Sequence, residues 1–120
     1  MNIFQWLMPG RSVRRTVMSS YKRGLLRVAR NDSAAAMQDF NIVINTSDVP
    51  SDVKAMALYN RALLFTAANE TAKAIDDLKA VLAVPEPLRE IKSAAQKRLD
   101  RMQHRHDIVS RSGIHGRRPT

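Results

Sequence analysis

The residues of this 120-residue chain that could do chemistry are few, and their spacing decides against most of it. His104 and His106 are two positions apart. On a helix that turns them to different sides, whereas a helical pair of metal ligands needs a spacing of three or four. A solvated surface is the simpler reading for both, and His115 sits in a polar, glycine-containing stretch. Asp76 and Asp77 are adjacent, so they diverge instead of converging as a general acid and base must. The four glycines are scattered and form no phosphate-binding loop. With no cysteine there are no disulfides, thiolate ligands or thiol nucleophiles. That composition fits a reducing compartment, so a cytoplasmic setting is expected, with no metal, no cofactor and no enzymatic reaction.

The remaining chemistry is cationic. Arg11, Arg14 and Arg15 lie near the start, and Arg111, Arg117 and Arg118 lie toward the end. The net charge of +9 is divided as +7 over residues 1–30, −4 over 31–87 and +6 over 88–120. Such ends could meet nucleic-acid phosphates, an anionic membrane surface or an acidic protein. Nucleic-acid modules add stacking aromatics or a groove-reading motif, and neither is visible here. Phe4, Trp6 and Leu7 precede the arginines, an arrangement that could rest in a lipid interface. So short a segment buries little, and packing against a repeat or a partner is favoured. It lacks the basic start and small-residue cleavage site of a signal peptide. No run of about 18 apolar residues is present to cross a membrane as a helix.

These residues need elements to position them. Apolar residues make up 44% and charged residues 26%, which is a globular balance. Alanine is abundant in the middle of the chain and favours helix. A shift of 38 residues aligns Tyr21–Ile44 with Tyr59–Leu82 without a gap. Tyr21/Tyr59, Arg23/Arg61, Leu25/Leu63, Asn31/Asn69, Ala36/Ala74 and Asp39/Asp77 are among the identical pairs. Each copy reads as two helices. Asn31 and Asn69 suit the left-handed residue that ends the first, and Ser33 and Thr71 are expected to cap the second. Ala74, Ile75, Leu78, Val81 and Leu82 form the apolar stripe of the last repeat helix, which stops near Pro85. The first helix is expected to start near Ser12. A fifth helix, with Pro87 in its first turn, carries Leu88, Ile91, Ala95, Leu99 and Met102 on one face. Its other face, with Arg89, Lys92, Lys97, Arg98 and Arg101, is read as facing water.

The pattern of Leu58, Ala62, Phe65, Ala74 and Leu78, with Pro85 beyond, resembles the tetratricopeptide repeat family. Gly24 and Ala36 repeat the spacing of Ala62 and Ala74. Ser20 and Leu58 stand where the family favours tryptophan, Arg23 and Arg61 where it favours leucine, and Arg27 where it favours tyrosine. The 38-residue period exceeds the usual value of about 34.

The resemblance implies an all-α fold, a right-handed antiparallel helix-hairpin solenoid of about five helices. Two repeats, at about 17–50 and 54–86, would be closed by a capping helix at about 87–106, giving a domain at 12–106. An apolar and basic segment, 1–11, would precede it, and a basic flexible tail, 107–120, would follow.

The resemblance also implies a non-catalytic module or assembly scaffold that binds a peptide or partner helix on a groove lined by first helices. The groove positions carried over are Met18, Tyr21, Lys22, Leu25 and Val28, then Met56, Tyr59, Asn60, Leu63 and Thr66. Tyr21 and Tyr59 could equally be core, and for Leu25 and Leu63 the core reading is favoured. A protein partner is expected, either alone or within a larger assembly or homo-oligomer. The alternative is an electrostatic binder of nucleic acid or anionic membrane through the basic ends.

Overall fold

Both copies of the repeat fold as helical hairpins joined by a turn of the same length. The computed structural model describes residues 9–112, with side chains described from 13 to 111. Five helices follow one another: α1 Pro9–Ala29, α2 Ser33–Asn45, α3 Ser51–Ala67, α4 Thr71–Ala83 and α5 Arg89–Ser112. No strand occurs among the described residues.

The turns explain why the helices stop where they do. Asn31 and Asn69 are both left-handed, with φ of 59° and 60°. The Asn31 amide donates to the Val28 carbonyl at 3.0 Å, and the Asp32 amide to the Arg27 carbonyl at 2.8 Å. In the second copy Asn69 donates to Thr66 at 3.1 Å and Glu70 to Phe65 at 2.9 Å. This double closure satisfies carbonyls that the helix end leaves free. The residue completing it is also the N-cap of the next helix. Asp32 and Glu70 therefore hold the position expected for Ser33 and Thr71, which become the first helical residues. The Asp32 carboxylate accepts from the Ala35 amide at 3.2 Å. The Glu70 side chain makes no cap hydrogen bond.

Two other boundaries differ from the sequence reading. Helix α1 opens at Pro9 instead of near Ser12, with proline at a first-turn position where no N–H is needed. Helix α5 opens later than expected, at Arg89, because Glu86 is held left-handed (φ 50°) between two prolines. The Lys92 amide then donates to the Leu88 carbonyl at 2.9 Å, so Pro87 lies ahead of the helix. At its far end α5 runs to Ser112, so residues 107–112, expected to belong to the tail, are helical.

Packing follows the order of the chain. Helix α1 lies on α2, α2 on α3, α3 on α4 and α4 on α5, with further contacts between α1 and α3 and between α3 and α5. Two cores result. The first joins Val17, Ala36, Phe40 and Val43 to Val53, Ala57 and Leu64 of α3. The second joins Ala55, Leu58 and Ala62 of α3 to Leu78, Val81 and the α5 stripe of Ala95, Leu99 and Met102. Helix α3 is apolar on two sides because it serves both. Each large side chain fully buried here stabilises by about 1.5–3 kcal/mol.

Helices α1 and α2 approach closely at Gly24. A Cβ built there would lie 2.6 Å from Cε1 of Phe40, whose side chain is fully buried.

Candidate interaction surface

Two buried carboxylates fix the first helix of each hairpin against its second. Asp39 on α2 is 1% exposed and accepts from Nε of Arg23 at 2.9 Å and from Nη1 of Arg27 at 3.0 Å. The equivalent Asp77 on α4 accepts two bonds from Arg61, from Nε at 2.8 Å and from Nη2 at 2.7 Å. Arg61 also donates from Nη1 to Asn41 Oδ1 at 2.9 Å, tying the second hairpin to the first. Its guanidinium lies 5.6 Å from the centre of the Phe65 ring, as does the Lys73 ammonium. A buried carboxylate is tolerated when its lone pairs are filled this way. The identities Arg23/Arg61 and Asp39/Asp77 were visible in the repeat. Their pairing was not, because the partners lie 16 residues apart and meet only when the hairpin closes.

Helices α1 and α3 are joined on the side that carries the expected groove residues. Nδ2 of Asn60 donates to the Tyr21 hydroxyl at 3.1 Å and to the Met56 carbonyl at 2.9 Å. The Tyr21 ring is tilted against Phe40 at 6.0 Å. Burial raises the Tyr21 pKa, against the opposing effect of the Asn60 hydrogen bond. Arg14 grips Asp52 through two bonds, 3.2 and 2.8 Å long. The Arg14 hydrogen bond holds the Asp52 carboxyl below the usual carboxylate range.

The expected groove residues divide into three sets. Met18, Tyr21 and Met56 are half-buried against the first core, and Tyr59 is half-buried against the second. Lys22 is exposed, and so are Leu25 at 38% and Val28 at 39%. Leu25 is therefore surface rather than core, while Leu63 is half-buried. Thr66 bonds its own helix, donating to the Ala62 carbonyl at 2.8 Å.

Two clefts lie along α5, the helix read as a cap with a solvated basic face. A cleft of about 450 Å³ lies between Tyr59 and Ser93, Lys97 and Arg101. A larger cleft of about 1000 Å³ lies where the α3–α4 turn meets the second half of α5. Thr66, Asn69, Glu70 and Ile75 line one side of it, and Arg98, Arg101, Met102 and Arg105 the other. Nε of Arg98 itself is buried among protein atoms without a hydrogen-bond partner. The alternation of apolar and basic residues on α5 was legible in the sequence. The cleft arises because α5 packs mainly on α4 and touches α3 only lightly.

Of the candidate anion-binding arginines, Arg14 is engaged by Asp52, while Arg15 and Arg111 are exposed. The side chains of Arg11, Arg117 and Arg118, and the residues Phe4, Trp6 and Leu7, lie outside the described residues. His104 and His106 are exposed on α5. Among the described residues, no group of three or more His, Asp or Glu is placed to hold a metal ion, and no helix is long and apolar enough to cross a membrane. Comparison with known protein families, characterised proteins and solved structures finds no match for the chain.

Proposed function

We propose that this chain is a non-catalytic protein-interaction module, a tetratricopeptide-like solenoid that binds a peptide or partner helix on the surface shared by α1, α3 and α5. The observation that supports this reading most is the exact-register duplication of the hairpin. The same left-handed turn and the same Arg–Asp clamp recur 38 residues apart. Repetition of that unit sets equivalent helices side by side and creates an extended recognition surface. Leu25 and Val28 supply exposed apolar area on it, and Tyr59 walls a cleft. The absence of cysteine favours a cytoplasmic setting for this activity.

The structure guides the choice of variant. Tyr21 is joined to Asn60 and Phe40, so its removal would disturb packing. Leu25→Asp with Val28→Asp changes the surface and spares both cores. Capture from native extract on the folded double variant is expected to lose a protein that the wild type retains through nuclease treatment. Equal recovery on both baits would count against the surface. The electrostatic alternative requires binding that collapses as salt rises, and it is weakened by Arg14 being committed to Asp52.

A further inference from the structure

We propose that the cleft between the α3–α4 turn and α5 seats an acidic, amphipathic segment of a partner protein. The inference rests on the recognition reading above and assigns the chemistry of the partner. Its first support is that the cleft gathers three arginines left unpaired by the carboxylates of the described residues. Arg14, Arg23, Arg27 and Arg61 are all paired with carboxylates of the chain itself. Arg98, Arg101 and Arg105, which line the cleft, make no ion pair or side-chain hydrogen bond among the described residues.

The second support is their placement. Spacings of three and four put these arginines on one face of α5. At 1.5 Å per residue they span roughly 10 Å, a length that suits successive turns of a docked helix or a few extended residues. The third support is chemical: a guanidinium is completed best by a carboxylate, and Arg98, Arg101 and Arg105 present three in one row.

The cleft is not purely cationic. Glu70 and Asp76 also line it, but Glu70 faces Lys73 at 3.4 Å, and the lining as a whole carries four Lys/Arg against two carboxylates. Ile75, Met102 and Val109 contribute apolar surface between the charges. That mixture fits a segment with carboxylates on one side and aliphatic side chains on the other. A single-stranded nucleic acid fits less well, because its bases want broad aromatic platforms and the lining has no Phe, Tyr or Trp.

The test uses the full chain and four fluorescent probes. They are a short helical peptide with glutamates on one face and leucines on the other, the same peptide with glutamine for glutamate, a leucine-free polyglutamate and an oligo(dT). The first peptide is expected to bind at least about tenfold more tightly than the other three, with affinity falling as salt rises. Arg101→Glu with Arg105→Glu, both exposed positions, should weaken it by at least about tenfold with helicity and melting unchanged. Arg98→Gln, which leaves the fold's other arginines alone, should weaken it as well.

Equal binding of the glutamine peptide, an unaffected double reversal, or preference for oligo(dT) would each overturn the proposal. So would the absence of peptide binding. If peptide binding fails while extract capture still depends on Leu25 and Val28, the recognition module stands and only its acidic partner falls. If both fail, both readings fall.

Discussion

Gly24 and Phe40 show how one residue's size is set by another's. Their equivalents in the second copy are Ala62 and Leu78, both buried. The small residue has grown by a methyl where the large one has lost a ring, so the two helix crossings are filled in complementary ways. Gly24→Ala gains about 1 kcal/mol of helix propensity. It also drives a Cβ to 2.6 Å from a fully buried ring, and overpacking of that kind costs about 1–3 kcal/mol. The single substitution is expected to lower the urea midpoint, and the pair Gly24→Ala with Phe40→Leu, which copies the second repeat, to recover most of it. A single variant as stable as wild type would show that Phe40 can move aside.

Tyr21 belongs to the same scale. Burial raises its folded pKa, so the native state keeps the phenol proton to higher pH than the unfolded chain does. Its contribution is fully present below the unfolded value near pH 10 and is lost as the pH climbs through the folded one. Stability should therefore fall above about pH 10, and the fall should be shallower in Tyr21→Phe when both are unfolded in urea at pH 8 to 11. Parallel slopes would mean that the hydroxyl titrates freely in the native protein.

At the scale of the helices, composition and periodicity were legible and termini were not. The stripe of Ala74, Leu78 and Val81, and the left-handed role of Asn31 and Asn69, could be read because each depends on near neighbours in the chain. The caps could not be read as easily, since one residue both closes the first helix and opens the second. Asp32 does this with a side-chain bond, and Glu70 does it without one. Glu70→Asp should supply the missing bond and stabilise the protein by about 0.5–1 kcal/mol, less a few tenths for the exposed contact with Lys73. Thermal unfolding of the variant at neutral pH checks this, and an unchanged midpoint would show that the longer side chain already suffices. The clefts along α5 were illegible for a different reason. Amphipathicity gives the face a helix buries, but not how far it stands from each neighbour.

For the molecule as a whole, the two hairpins share the turn and a buried aspartate held by arginine, from Arg23 and Arg27 in the first and from Arg61 alone in the second. The candidate surface was only partly visible beforehand. Tyr59 and Thr66 were identified from their positions in the repeat, and both line a cleft. Arg98 and Arg101 were set aside as solvated because a basic helix face carries no sign of what stands opposite it. Helix α3 joins both cores, giving Val53, Ala57 and Leu64 to one and Ala55, Leu58 and Ala62 to the other. Neither hairpin can therefore melt by itself, because dismantling either one strips a side of the helix on which its neighbour depends. The middle of the chain acts as a keystone, so heat should dissolve both halves in one step, with loosening beginning at the outer helices.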